Sequence, residues 1–264
     1  MAAIFSCSKT ERADAQGADS KKASEAESPA DWLEVAQASL RAPRNASFVM
    51  ASGRSSEKSG LLIFQDLTHF RVESTQSIAT TTPGGEGTAV QLEIVSAADG
   101  ETLRIQLPAV FGAPASIAVF PVKRFQELKA VGPKSPLHRY RPESLSPIHM
   151  ASALLEVCSE IERNDDSSTA DLLAFTAQVK TETVIALGIV EASAQEESFL
   201  LHLNLDRASG ILAGLQVVGA EGGIIRLKMR LDDLTAPMAS DGRGFSLTIP
   251  DGQVVVDLAL QLPR

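Results

Sequence analysis

The sequence predicts an α+β fold in which one large, curved antiparallel β-sheet, a half-barrel, has helices covering its concave face. Apolar and polar residues alternate over most of the chain, which is typical of strands with one buried face. Turn-forming sequences separate the alternating runs, and the pair Asp99-Gly100 between two of them indicates a hairpin. Three segments, near residues 29–42, 122–131 and 147–161, have helical periodicity instead.

The first predicted helix follows a capping sequence. Ser28 precedes Pro29, and Asp31 lies three residues after Ser28, which provides an N-cap, a proline at the first helical position and a capping carboxylate. Pro43 ends the helix because proline cannot continue it. The apolar face of this helix consists of Trp32, Val35, Ala36 and Leu40.

Strands are predicted on both sides of a proline-rich middle section. The first group, near residues 48–107, is an antiparallel meander with one apolar face. The middle section contains the other two helices, the second of which begins at Ser146-Pro147 and has an apolar stripe that extends to Ile161. Further strands are predicted near residues 179–190, 199–205, 211–218, 225–231, 245–249 and 254–258.

The chain divides into a tether and one domain. From Cys7 to Ser28 there is no branched apolar or aromatic residue, so this segment cannot bury enough surface to offset its ordering entropy. We therefore predict that residues 1–28 contain a disordered tether and that residues 29–264 form a single domain. No change of composition divides the domain further.

Composition and charge exclude several classes of protein. The chain has 264 residues, a net charge of −9 and two cysteines. The acidic balance argues against a nucleic-acid partner, no apolar run approaches the roughly 18 residues of a membrane-spanning helix, and two cysteines cannot form a disulfide scaffold. We find no nucleophile elbow, phosphate-binding glycine loop or metal-ligand spacing, so we predict no catalytic residues, no metal, no cofactor and no enzymatic activity. The sequence leaves the oligomeric state undetermined.

Three segments resemble the LolA/LolB-like lipoprotein carriers of bacterial envelopes, the outer-membrane lipoprotein-sorting family. Residues 60–72 resemble its second hairpin, residues 199–218 its strand, Asp-containing turn and strand, and residues 245–258 its closing pattern of Phe, Pro, Gly, Val and Asp. The order of these segments along the chain carries the resemblance. The LolA carriers have an Arg-Pro pair in the second hairpin that closes a lid, whereas this chain has Asp66-Leu67 there, so that function is not implied.

The resemblance implies an envelope lipoprotein of the periplasm that binds lipid or lipoprotein acyl chains in an apolar cavity and carries or localises them. The alternative is a non-carrier envelope interaction or stress-sensing module with the same fold, which a filled interior would favour. Phe111, in an apolar loop, is a candidate for contact with a membrane or partner. The candidates for the cavity lining are Phe48, Met50, Phe64, Phe70, Leu92, Ile94, Leu103, Ile105, Met150 and Leu154. For each of these ten, packing in a dry core is the alternative.

The residues before the tether resemble the end of a bacterial lipoprotein signal. In the run Ile4-Phe5-Ser6-Cys7, an apolar residue is followed by a spacer, a small residue and the cysteine at which such signals are cleaved and lipidated. We therefore predict that Cys7 is a lipid anchor that attaches the domain to a membrane. A cysteine that occurs by chance in an unstructured terminus is the alternative.

Overall fold

The computed structural model describes residues 28–52, 55–80, 88–109, 114–191, 197–219, 223–233 and 244–262. The predicted lipid anchor Cys7 and the predicted contact residue Phe111 lie outside the described residues, as does the predicted tether apart from Ser28.

One sheet of twelve strands organises the described chain. The strands are β1 Arg44–Ser52, β2 Ser55–Asp66, β3 His69–Thr80, β4 Thr88–Asp99, β5 Thr102–Leu107, β6 Ser116–Pro121, β7 Ser159–Arg163, β8 Leu172–Lys180, β9 Ser198–Asp206, β10 Leu212–Gly219, β11 Ile225–Asp233 and β12 Val254–Asp257. Their order is β12-β6-β5-β4-β3-β2-β1-β11-β10-β9-β8-β7. Neighbours are antiparallel, except that β12 pairs in parallel with β6. With β12 and β7 at its edges, the described sheet is not closed, which confirms the predicted α+β half-barrel.

Short helices connect and cover the strands. They are α1 Pro29–Arg41, α2 Phe125–Lys129, α3 Pro142–Leu145, α4 Pro147–Val157 and α5 Thr181–Ala186, with 3-10 turns at Val122–Arg124, Pro136–Tyr140 and Leu258–Gln261. The predicted cap of α1 is confirmed, since the Asp31 amide donates to Ser28 Oγ at 3.3 Å and the Ser28 amide donates to Asp31 Oδ2 at 2.9 Å. The two reciprocal bonds satisfy backbone donors that the first helical turn leaves free.

The helices pack on one face of the sheet, which we call the inner face. Leu40 of α1 and Leu154 of α4 belong to the same buried core as Phe48 of β1 and Leu203 of β9. Strands β1 and β11, which are far apart in sequence, pair through Phe48 and Leu231 and so join the two groups of strands. Burial of aliphatic and phenylalanine side chains between one sheet and its helices is the main stabilising contribution here.

Residues 179–190, predicted as a strand, form a strand end and a helix instead. β8 ends at Lys180, and Thr181–Ala186 is helical, with the Leu187 amide donating to Thr183 O at 2.9 Å. The β-branched run predicted a strand, but as a helix it buries Val184 completely in the core. Gly188 then adopts a φ of 74°, which ends the helix in a conformation that glycine accepts readily.

Two further segments differ from the prediction. Residues 245–249 form no strand: the Phe245 ring packs 6.0 Å from the His69 ring, and Arg71 donates to the carbonyls of Gly244 and Ser246 at 3.4 Å. These side-chain contacts hold the segment in place of ladder hydrogen bonds. The stripe predicted to reach Ile161 also ends early, because α4 stops at Val157 and Ile161 lies in β7.

Gly60 of β2 lies in close contact with the backbone of β3. It pairs with Ser74, and a Cβ atom added to Gly60 would lie 1.9 Å from the Glu73 carbonyl oxygen. Such a contact is impossible, so the two strands can pair this closely at this position only if the residue is glycine.

Candidate functional site

The inner face of the sheet carries a cavity of about 860 Å³ beneath the helical segments. Residues of β1 to β6, β11 and β12 form the sheet side of the cavity, and residues within 138–150 and 187–189 form its cover. Volumes of roughly 300 to 1,000 Å³ are usual for small-molecule sites. The described lining residues are Met50, Ser52, Lys58, Gln76, Leu92, Ile94, Ile105, Leu107, Pro108, Pro114, Ser116, His138, Arg139, Tyr140, Ser144, Leu145, Met150, Leu187, Gly188, Ile189, Leu227, Val256 and Gln261.

The strand register divides the inner face into a filled half and a hollow half. In the filled half, Phe64 of β2 lies opposite Phe70 of β3, which lies opposite Ala98 of β4. All three are buried, with at most 2% of their surface exposed. In the hollow half, three inward-facing rows further along the same strands, Lys58 lies opposite Gln76 and Gln76 opposite Leu92, and all three line the cavity.

The ten predicted lining residues separate along this division. The five that line the cavity are Met50, Leu92, Ile94, Ile105 and Met150. The five that belong instead to the tightly packed core are Phe48, Phe64, Phe70, Leu103 and Leu154. Alternation along a strand predicts which side chains point inward, but all eight strand residues do so, and Met150 and Leu154 lie on the buried face of α4, so neither pattern could separate the two groups. Ligand binding by the five lining residues remains a prediction.

The His149 side chain of α4 packs on the filled half of the inner face. The His149 ring lies against Phe70, with centroids 4.6 Å apart, and against Phe64 at 6.2 Å. Its Nε2 donates to the carbonyl oxygen of Leu67, in the turn between β2 and β3, at 3.1 Å. Burial lowers the pKa of His149 to about 4, so the ring is neutral at pH 7. The histidine therefore fastens α4 to the β2–β3 turn and closes that end of the inner face.

The β2–β3 turn is held by hydrogen bonds that the Asp66 side chain accepts. Asp66 Oδ1 accepts hydrogen bonds from the amides of Thr68 at 2.7 Å and His69 at 2.8 Å. A carboxylate that accepts backbone amides in this way stabilises a tight turn. Because Leu67 accepts the hydrogen bond from His149, the turn supports the helical cover directly.

Hydrogen bonds and ion pairs connect the helical segments that cover the hollow half. His138 Nε2 donates to the Ala186 carbonyl oxygen at 3.0 Å, and Arg141 donates to the same oxygen at 2.5 Å. The buried Glu143 carboxylate lies 3.5 Å from Arg141 Nε and 3.4 Å from Lys129 Nζ. Together these contacts connect α2, α3 and the end of α5. Removing either partner of the Arg141–Glu143 pair would leave a buried charge uncompensated, so both side chains are needed to keep these contacts.

Lys58 and Gln76 are polar residues on the sheet side of the cavity, and neither is among the ten predicted lining residues. Lys58 Nζ donates to the Leu145 carbonyl oxygen at 3.3 Å. Burial lowers the pKa of Lys58 to about 8. The sequence does carry a signal for this site: Lys58 and Gln76 are long polar residues at inward positions of β2 and β3, at the end of each strand away from the apolar run.

Other kinds of site find no support in the part of the chain that the structure describes. There, no group of three or more His, Cys, Asp and Glu residues is placed to hold a metal ion. In the same residues, no helix has the length and apolar character to cross a membrane. Cys158 is half-buried at the end of α4, with its Sγ donating to Leu155 O at 3.4 Å, and burial raises the pKa of its thiol.

The fold and cavity together define an open half-barrel with a helical cover and a ligand-sized space beneath it. No family model and no curated protein matches the chain. A chain in the complex of Pseudomonas aeruginosa MucA and MucB is 15% identical with a TM-score of 0.39, and the match covers 83% of this chain and 61% of that chain. A crystal structure of MucB is 14% identical with a TM-score of 0.33, covering 86% of this chain and 65% of that chain.

A third likeness is to a β-barrel-like protein of the domain of unknown function DUF1849 from Brucella abortus. It is 8% identical with a TM-score of 0.24, and the match covers 74% of this chain and 97% of that chain. This chain spans less than two thirds of the length of the first two matched chains. At TM-scores below 0.5 these likenesses carry no argument about function, and the resemblance to LolA/LolB-like carriers remains a prediction.

Proposed function

We propose that this chain binds an acyl chain of a lipid or lipoprotein in the cavity and carries or localises it in the bacterial cell envelope. The observation that carries the proposal is the hollow half of the inner face, a space of about 860 Å³ that the helices cover without filling. A filled interior would have favoured the alternative, a non-carrier interaction or stress-sensing module. The hollow half therefore supports carriage over that alternative.

The lining chemistry suits an aliphatic chain. Leu92, Ile94, Ile105 and Leu107 form a continuous aliphatic surface across β4 and β5, and Met150 faces it from α4. Each methylene removed from water contributes about 0.8 kcal/mol, so ten of them contribute about 8 kcal/mol. That is the free energy of a roughly micromolar complex, before the cost of immobilising the chain is subtracted. Binding of this kind requires no bond to be made or broken.

A cavity-filling variant tests the proposal. We expect Ile94→Trp, whose indole would occupy the hollow half, to weaken binding of the neutral fluorophore N-phenyl-1-naphthylamine and of dodecanol by at least about tenfold. The matched control is Glu93→Trp, because Glu93 is exposed on the other face of the same strand. Equal affinity in Ile94→Trp and the wild type, with both folded by circular dichroism, would contradict the proposal.

Native mass spectrometry identifies the natural occupant. We expect protein from a bacterial host to carry a lipid mass that is reduced in Ile94→Trp and retained in Glu93→Trp. A clean apoprotein mass after extraction in membrane mimetics would count against carriage.

The proposed location is the cell envelope, with Cys7 as the lipid anchor. Two acyl chains on one residue give stable membrane attachment, whereas one chain gives marginal attachment. With a functional lipoprotein signal placed before Cys7, we expect the wild type in the membrane fraction and Cys7→Ala in the periplasmic fraction. Cys158→Ala is the control, because Cys158 lies within the folded domain. Unchanged membrane association of Cys7→Ala would refute the anchor.

A further inference from the structure

Lys58 places a cation in the wall of the cavity, near its aliphatic surface. It lies on the inner face of β2, and its ammonium donates to the Leu145 carbonyl oxygen at 3.3 Å. Within the described residues this is its one hydrogen bond, and no carboxylate forms an ion pair with it there. An ammonium group has three donors, so two remain for other partners. A partly buried cation in apolar surroundings is costly unless an anion accompanies it.

The neighbours of Lys58 provide a polar subsite at one end of the aliphatic surface. Gln76 lies directly opposite Lys58 in the β2–β3 register, which places their Cβ atoms about 4.5 to 5.5 Å apart. Ser52 of β1 and Ser144 of α3 line the same cavity. The Ser144 hydroxyl donates to the His138 carbonyl oxygen at 3.0 Å, so the donor available beside the ammonium group is the Gln76 amide, which suits an anionic oxygen cluster. Leu92, which lies opposite Gln76, begins the aliphatic surface immediately beside this subsite.

The charge of the lining is opposite to that of the whole protein. Asp and Glu outnumber Lys and Arg by 33 to 24 over the chain. Among the described lining residues, in contrast, none is Asp or Glu, while Lys58 and the exposed Arg139 are cationic. A cleft of one sign with low-dielectric walls concentrates ligands of the opposite sign. The described part of the lining therefore favours an anion over a cation, although the protein as a whole is acidic.

We propose that the cavity selects amphiphiles whose aliphatic chain ends in an anionic carboxylate or phosphate head, and that Lys58 binds this head through a charge-assisted hydrogen bond. This inference rests on the proposed binding of acyl chains and adds the chemistry of the head group. Although burial lowers the pKa of Lys58 to about 8, the ammonium form still exceeds the neutral form about tenfold at pH 7. Lys58 thus remains a cation under the conditions of binding.

The experiment compares ligands with the same twelve-carbon chain and different heads. Dodecanoate, dodecyl phosphate and dodecanol each displace N-phenyl-1-naphthylamine from the wild type, Lys58→Met, Lys58→Arg and Lys228→Met at pH 7. Lys228 is the matched control, because it is an exposed strand lysine on the outer face of β11. Inorganic phosphate without a chain distinguishes a lipid head group from a free anion.

We expect the wild type to bind dodecanoate and dodecyl phosphate about 10- to 100-fold more tightly than dodecanol, as one charge-assisted hydrogen bond allows. Lys58→Met should abolish this preference and leave dodecanol affinity unchanged, while Lys58→Arg and Lys228→Met keep it. Displacement by inorganic phosphate alone would overturn the assignment to an amphiphile. If dodecanol binds but the preference is absent or survives in Lys58→Met, the head-group inference fails alone. If no twelve-carbon ligand binds, the proposed function fails with it.

Discussion

The imidazole ring of His149 packs against the ring of Phe70, with the two centroids 4.6 Å apart. This contact joins α4 to β3 at the filled half of the inner face, and the hydrogen bond from His149 to Leu67 O joins α4 to the adjacent turn. The same helix carries Met150, which lines the cavity. The filled half therefore fixes the position of the helix that covers the hollow half.

We expect stability to fall as pH falls from 6.5 towards 4, in part because of His149. Burial keeps its folded-state pKa near 4, whereas the unfolded chain binds the proton near 6.5. The unfolded state thus gains protons first, and up to about 3 kcal/mol of unfolding free energy is lost across that window. His149→Gln, which can still donate to Leu67 O, should show a shallower decline in urea titrations between pH 7.5 and 4.5. An identical decline in both proteins would contradict this assignment.

Lys58→Met should stabilise the ligand-free protein while removing the proposed head-group preference. The lowered pKa of Lys58 means that its ammonium is destabilised by folding, so we expect a gain of about 1 to 3 kcal/mol at pH 7. The wild type should gain stability relative to the variant as pH rises from 8 to 10.5, because the unfolded state there binds the proton that the native lysine has lost. Lys228→Met, at an exposed position, should change stability by less than about 0.5 kcal/mol in urea unfolding. A loss of stability in Lys58→Met would show that the lysine has a structural partner.

Binding of dodecanoate by the wild type should weaken above pH 8, as the Lys58 ammonium loses its proton. Lys58→Arg should keep its affinity to higher pH, because a guanidinium stays charged. The other charged or titratable groups of the described lining are His138, Arg139 and Tyr140, and both proteins retain them. The difference between the two pH profiles therefore reports Lys58. Profiles that coincide from pH 7 to 9.5 would exclude it as the group that governs binding.

Gly60→Ala should be strongly destabilising, by about 3 kcal/mol or more, because a Cβ atom there would lie 1.9 Å from the Glu73 carbonyl oxygen. Gly214→Ala in β10 is the matched control. A Cβ atom at Gly214 would meet its nearest neighbour, the Met229 carbonyl oxygen, at 3.6 Å, so a change below about 1 kcal/mol is expected. Chemical denaturation of both variants measures the difference. Similar stabilities would mean that β2 and β3 do not approach this closely.

Leucine truncations in the two halves should have different costs. Leu103 is fully buried in the filled half, so Leu103→Ala should cost about 3 to 5 kcal/mol of unfolding free energy. Leu92 borders the cavity, and Leu92→Ala should cost about 1 to 2 kcal/mol, because fewer packing contacts are lost. Urea unfolding compares the two variants. Equal costs would contradict the division of the inner face.

Much of the fold follows from local patterns in the sequence. The cap at Ser28 and Asp31, the proline that begins α4 and the alternation in β4 and β5 all predicted the elements found. Local patterns did not predict the structure of residues 181–186. Their β-branched run is compatible with a strand or a helix, and burial of Val184 in the core favours the helix. In the same way, five of the ten predicted lining residues border the cavity and five lie in the core.

The sequence by itself determined which side chains face inward, because alternation at a period of two is a property of each strand alone. Tertiary structure decided which inward side chains pack against other side chains and which border the cavity. Phe70 is buried because His149, far away in sequence, lies over it, whereas Leu92 has a cavity above it. Lys58 and Gln76 are polar inward residues in the sequence, and their register across β2 and β3 places them side by side in the hollow half. Whether a position is filled depends on contacts between distant segments, which no local pattern contains.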